Sequence, residues 1–234
     1  ETFFTLRYYN PNEGAQTLWI VSTNAQCTDT VATGIEPSTS RTFTATGLSA
    51  STNYHVFLYS VCDVSDRSRA LHFTCRTKCA VMTQFPYDEG FENIDVDDLP
   101  DCWTFFVSNT SENDLYVADE SSFVHNGDNS LYFYQEDGSS TDYAIAALPI
   151  ISGWHNADMT FYYSNHAESG GGSDKMYVGY LTVDGDASSF VQYEALPYSP
   201  GMRQYQISLS DFPGDAVTPA FKYVGYMDAA IDDI

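Results

Sequence analysis

Pro86-Tyr87-Asp88-Glu89-Gly90-Phe91-Glu92-Asn93-Ile94-Asp95-Val96-Asp97-Asp98-Leu99-Pro100-Asp101-Cys102-Trp103 is the stretch at which this 234-residue chain changes character. Upstream of it the sequence is rich in Thr and Ser and balanced in charge: six of the 32 acidic residues precede position 81, against six basic ones. Downstream, the other 26 acids face only Lys175, Arg203 and Lys222, so the whole net charge of −23 belongs to the second part. A boundary just before Pro86 predicts two domains, residues 1–80 and residues 81–234. In the second, Phe91 and Trp103 are candidate core residues, and the carboxylates around them are candidate metal ligands.

So strong a negative field repels phosphate backbones and anionic lipid, which argues against nucleic acid and membrane surfaces as partners and favours cations. No apolar run approaches the ~20 residues needed to span a bilayer. Tyr (18) and Phe (15) far outnumber Trp (3), and with 43% hydrophobic residues the chain can afford a core, so disorder is not expected. Five cysteines occur, at 27, 62, 75, 79 and 102, without the spacing of a zinc site. Their clustering near the boundary suggests Cys79–Cys102 and Cys62–Cys75 as disulfide pairs, with reduced, buried cysteines as the alternative.

Alternation of apolar and polar residues dominates. Phe4-Leu6-Tyr8 read as one strand; Leu18-Ile20, with Trp19 and Val21 on the other face, read as the next, and Asn10 to Gly14 supply turn residues for a hairpin between them. Thr42–Thr46, Tyr54–Cys62 and Ala70–Arg76 follow as strands. No helical period of useful length appears. The segment Gly47-Leu48-Ser49-Ala50-Ser51-Thr52-Asn53-Tyr54 ahead of the strand from His55 resembles the corner of a fibronectin type III domain: Leu48, Thr52 and Tyr54 match, and Ala50 stands where that family has proline. The resemblance implies a tyrosine corner, with the Tyr54 ring buried and its hydroxyl bonded to nearby backbone. It further places Thr5–Tyr9 as strand C and Thr17–Ser22 as strand C′, which makes the module partial and implies polypeptide upstream.

After Phe91 the strand signals continue at Leu115–Val117, Ser130–Tyr134, Asp158–Tyr163, Met176–Leu181, Tyr205–Leu209 and Ala220–Tyr226, separated by Gly-, Asp- and Ser-rich loops such as Glu168–Asp174. Over ~150 residues this pattern predicts an all-β sandwich closed as a jelly roll. The ordered signals Pro86-Tyr87 with Phe91-Glu92, Leu99-Pro100-Asp101-Cys102-Trp103, His125-Asn126-Gly127 before Ser130-Leu131-Tyr132-Phe133, Leu148-Pro149, Met176 to Tyr180 and Ile231-Asp232-Asp233-Ile234 resemble the MAM-like, cleaved-adhesin jelly rolls of bacterial surface proteins, including the haemagglutinin domains of gingipains. The family continues past the position of Ile234 into a last strand, so further polypeptide is expected there too.

That resemblance implies a structural calcium ion held at one edge by Glu92, Asn126, Asp128 and Asp232, with Asp88 or Asp233. It also implies a secreted or surface-displayed adhesin that binds a host glycoprotein or glycan; an accessory carbohydrate-binding module of a larger hydrolase is the second reading, and an enzymatic jelly roll the third. Candidate sugar-stacking residues are Trp154, with His155 and Asn156, then Tyr134 and Tyr198, against the plain alternative that Trp154 is packing. Catalytic patterns are missing: there is no Gly-x-Ser-x-Gly elbow, no His-Glu-x-x-His and no phosphate loop, and the five histidines are scattered singly. The reading is therefore of a protein that is not an enzyme.

Overall fold

The computed structural model describes the chain except residues 1, 13, 64–65, 111–112, 136–140, 155, 166–174, 215 and 226–227. It divides into two units, Glu1–Ala80 and Val81–Ile234. Both are built from antiparallel strands, with helix confined to two short 3-10 turns among the described residues.

The first unit contains β1 (Thr2–Arg7), β2 (Gln16–Ser22), β3 (Thr30–Glu36), β4 (Thr42–Leu48), β5 (Asn53–Asp63), β6 (Asp66–Arg67) and β7 (Leu71–Arg76). β1 pairs with β4, whereas β2 lies between β3 and β5 in a second sheet, with β6 and β7 both on β5. The hairpin expected between β1 and β2 is therefore not formed, and Thr5–Tyr9 is not a sheet neighbour of Thr17–Ser22. The turn residues Asn10 to Gly14 carry the chain from one sheet to the other. Alternation reports which side of a strand is apolar but not which strand it pairs with; here Phe4, Leu6 and Tyr8 pack with Trp19 and Phe43 in the interior between the sheets.

Trp19 stacks on Phe43 with ring centroids 4.8 Å apart. Gly34 of β3 lies beneath the indole, where any Cβ would collide with it, so a glycine is required in mid-strand. Tyr54 is buried, and its hydroxyl accepts the Ser49 N–H at 2.9 Å. Tyr54→Phe leaves that N–H without its acceptor; the first unit is expected to lose roughly 1–3 kcal/mol, read as a lower denaturation midpoint with an unchanged slope.

Cys27, Cys62 and Cys75 are free thiols, whereas Cys79 and Cys102 are disulfide-bonded. The expected Cys62–Cys75 pair does not exist. In the β5–β7 register Cys75 stands opposite Tyr54, eight residues along β5 from Cys62, or roughly 27 Å at the rise of an extended strand.

The second unit contains β8 (Thr104–Val107), β9 (Asn113–Ala118), β10 (Ser130–Gln135), β11 (Tyr143–Ala147), β12 (Ile151–Ser152), β13 (Asp158–Asn165), β14 (Lys175–Leu181), β15 (Phe190–Ala195), β16 (Ser199–Ser208), β17 (Ala216–Val224) and β18 (Ala229–Asp232). One sheet runs β16-β13-β18-β10-β9 and the other β15-β14-β17-β11-β8, with β12 attached to β17. Leu131, Phe133, Phe161, Tyr163 and Ile231 of the first sheet meet Met176, Val178, Phe221 and Tyr223 of the second in one core. These are the inward positions of period-2 strands, and their burial is the main favourable term for the unit. Trp154 belongs to this core and is wholly buried.

Candidate cation and ligand sites

Phe91 organises the first candidate site. Its side chain is fully buried beside Trp103, yet its backbone is left-handed, with φ of 60°. Only Gly visits that region freely, so the buried ring must hold the conformation in place. Glu89 Oε1 accepts the Phe91 N–H at 2.8 Å and helps to fix the turn. The turn delivers Glu92 to the loop between β9 and β10. There its carboxylate accepts the N–H groups of Asp128, at 3.1 Å to each oxygen, and of Asn129, at 2.9 Å. Gly127 has φ of 81° and passes so close to Glu92 that a Cβ would overlap the carboxylate.

Asp232, at the end of β18, holds the same loop from its other end. Its Oδ2 accepts the N–H of His125 at 2.8 Å and of Asn126 at 3.3 Å, and its Oδ1 accepts the N–H of Asp233 at 2.8 Å. Asp233 Oδ2 lies 2.6 Å from His125 Nδ1, and the His125 ring stacks on Tyr162. Three stretches remote in sequence thus meet: Glu89–Glu92, His125–Asn129 and Asp232–Ile234. Asn126, Asp128 and Asp233 lie within this group. Asp88 is exposed and lines a neighbouring cavity.

Asp232 is completely buried, and among the described residues no basic side chain pairs with it. Burial is the main reason that its pKa is pushed up to about 6; the Asp233 charge adds to the shift, and the N–H donors from the loop oppose it. A buried carboxylate with one lone pair left on Oδ1, beside a second carboxylate and a loop backbone, has the chemistry of a hard-cation site. Among the described residues no three His, Cys, Asp or Glu side chains are grouped closely enough to hold a metal ion. A cation here would therefore complete its shell with amide, carbonyl and water oxygens.

The sign of the pH effect follows. With a chelator present, the native state binds more protons than the unfolded chain between about pH 4 and pH 6, because the Asp232 pKa is raised from 3.8 to about 6. Stability contributed by this group is greatest below that window and falls as pH rises through it. Chelated protein is thus expected to gain unfolding temperature between pH 7 and pH 5, with a smaller gain in Asp232→Asn, by differential scanning fluorimetry.

The expected sugar-stacking residues do not form one platform. Trp154 is sequestered in the core, since its large apolar ring gains more from burial between the sheets than from exposure on a loop. His155 lies outside the described residues. Asn156 and Tyr198 are both exposed but sit at opposite ends of β13, because Asp158 pairs with Ser208 and Asn165 with Ser199; the length of that strand is roughly 25 Å.

Tyr134 and Tyr198 share one end. Phe133, Ala229, Asn165 and Ser199 form a row across four strands, so the two tyrosines are separated by about three strand spacings, or ~14 Å. On the face of this sheet away from the core lies a group that sequence reading passed over: Ala118, Phe123, Tyr132 and Ala230 are buried, and Tyr116, Tyr134 and Met202 are partly buried against them. Tyr132 is held by Asp228, and burial together with that bond raises its pKa. The missed signal was alternation in β9 and β10, which places Tyr116, Tyr132 and Tyr134 on one face.

No protein-family model and no curated protein sequence matches the chain. Among solved structures, the K2 cleaved adhesin domain of Lys-gingipain aligns with a TM-score of 0.51 at 13% identity, covering 63% of this chain and 96% of that domain. Over that stretch the chain has the same β-sandwich fold as that domain. The K3 cleaved adhesin domain of Lys-gingipain from Porphyromonas gingivalis aligns with a TM-score of 0.46 at 18% identity, covering 63% of this chain and 95% of that one. A carbohydrate-binding module, TmCBM61 in complex with β-1,4-galactotriose, aligns with a TM-score of 0.41 at 13% identity over 62% of this chain and 90% of that module.

Proposed function

We propose that the chain is a non-catalytic recognition segment of a secreted or surface-displayed bacterial adhesin. Its second unit is a MAM-like jelly roll stabilised by calcium, and its first is a fibronectin type III module, a reading supported by the buried Tyr54 and its bond to the Ser49 backbone. The ligand is a glycan or the glycan of a glycoprotein. The observation that carries this reading is the pair of partly exposed rings Tyr116 and Tyr134, packed against the buried Tyr132 and flanked by acidic side chains including Asp114 and Asp228. Aromatic rings stack on the C–H faces of sugars while carboxylates accept their hydroxyls, and a shallow open face suits a chain-like ligand.

Calcium fits the same reading. Glu92 and Asp232 both grip the 125–129 loop, which links the start of the unit to its last strand, so a bound ion would tie the ends of the fold together. The testing experiment is a glycan array probed with the whole chain, with calcium and with chelator, alongside Tyr134→Ala and Tyr116→Ala. Binding to glycoprotein glycans that both substitutions weaken tenfold or more is the expected result. Confinement to one plant polysaccharide class would favour the accessory-module reading instead, and binding indifferent to both tyrosines would remove the proposed face.

A further inference from the structure

Two of the five histidines, 17 residues apart in the chain, meet on the outward face of the first unit. Tyr54, Val56 and Leu58 of β5, with Phe73 and Cys75 of β7, pack into the core of that unit, so the alternating positions His55, Phe57, His72 and Thr74 face away from it. In the β5–β7 register His55 stands opposite Thr74, and Phe57 opposite His72. The two imidazoles are therefore diagonal cross-strand neighbours. His55 Nδ1 lies 3.0 Å from His72 Nε2, and the ring centroids are 5.2 Å apart.

Packing holds one of the two rings in place. Phe57 is buried, and the His72 ring lies flat on it, with centroids 4.5 Å apart and planes 6° from parallel. A neutral imidazole has one N–H and one lone pair, so a single proton lies between the facing nitrogens, donated by one ring and accepted by the other. When that proton moves to the far nitrogen of its own ring, two lone pairs face the same small space. A zinc–imidazole bond is about 2.0–2.1 Å, so two such bonds meeting at about 90–110° set their nitrogens about 2.8–3.4 Å apart. The separation of 3.0 Å falls in that span. The rings need only rotate to share an ion.

We propose that His55 and His72 form a bidentate site for a divalent transition cation such as zinc, nickel or copper. The ion replaces the shared proton, which stays on its own ring at His55 Nε2 or His72 Nδ1, so a neutral pair loses no proton. Imidazole nitrogens favour these ions, whereas calcium and magnesium take oxygen donors. The histidine pair and the loop held by Asp232 therefore select different cations. Among the described residues no group of three His, Cys, Asp or Glu could hold a metal, so water or a donor from a further ligand fills the remaining positions. β7 pairs only with β5 among the described residues, and the ion clasps this edge strand to its neighbour.

The test titrates the whole chain with zinc by calorimetry, with calcium in excess to fill oxygen-donor sites. In parallel, one equivalent of copper(II) is read by electron paramagnetic resonance. One equivalent of zinc bound, copper coupled to two nitrogens, and tenfold or greater slowing of hydrogen exchange at β7 amides are expected. His55→Gln and His72→Gln should each weaken zinc at least tenfold and abolish the slowing. The resonance and exchange readings come from the unmodified chain, so the outcome holds even where a variant fails to fold. Absence of zinc binding would leave the histidines as a hydrogen-bonded pair packed on Phe57 and overturns the proposal. Binding that survives both substitutions, or copper without nitrogen coupling, would place the ion on the free thiols of Cys27, Cys62 and Cys75 or on carboxylates, and overturns it equally.

Discussion

Saturating calcium is expected to raise the unfolding temperature of the second unit by roughly 5–10 °C over chelated protein, and Asp232→Asn is expected to abolish that rise. The magnitude comes from mass action: a ligand held only by the native state at a hundred times its dissociation constant contributes about 2.7 kcal/mol, and a unit of this size shifts by about 2–4 °C per kcal/mol. The residue follows from the geometry. Asp232 is buried, is raised in pKa to about 6 and holds the loop that Glu92 holds from the other end. A divalent ion would restore its charged form and remove the repulsion from Asp233. Scanning calorimetry of the wild-type and variant chains, each in calcium, in magnesium and in chelator, measures this directly. Equal unfolding temperatures for the wild type in all three would show that the loop is fastened by hydrogen bonds alone.

Trp154→Ala is expected to be the most damaging single substitution on the loop before β13, costing about 3–5 kcal/mol. The indole is fully enclosed by the core of the second unit, so its removal loses both the transfer free energy and the contacts of the walls around the space it leaves. Trp154→Phe should cost less, since it keeps much of the apolar volume. If Trp154 served instead as a sugar platform, the alanine variant would melt normally and lose glycan binding. Chemical denaturation of both variants, with glycan binding measured on the folded Trp154→Phe protein, separates the two roles: packing predicts unchanged affinity in the phenylalanine variant.

The sequence was informative where local chemistry decides. Alternation marked Leu18–Val21, Ser130–Tyr134 and Asp158–Tyr163 as strands, and all are strands. It was silent where a strand looks unlike one: β3 contains Gly34, which is there because Trp19 covers it from a neighbouring strand. The candidate cation site shows the same division. Glu92, Asn126, Asp128, Asp232 and Asp233 could be named, but the backbone bonds by which Glu92 and Asp232 grip opposite ends of one loop depend on strands folded far apart in the chain.

By itself, then, the order of residues determined an all-β chain, with its negative charge concentrated after position 80 and the inward face of most strands set by a period of two. Those properties are carried within a few neighbouring residues. Only the tertiary structure decided that β1 pairs with β4 instead of β2, that Trp154 is buried rather than displayed, and that Tyr116, Tyr132 and Tyr134 share an outward face with Tyr198 near one end. Pairing, burial and convergence are settled by which distant surfaces exclude water together, and a side chain's own neighbours in sequence hold no record of that competition.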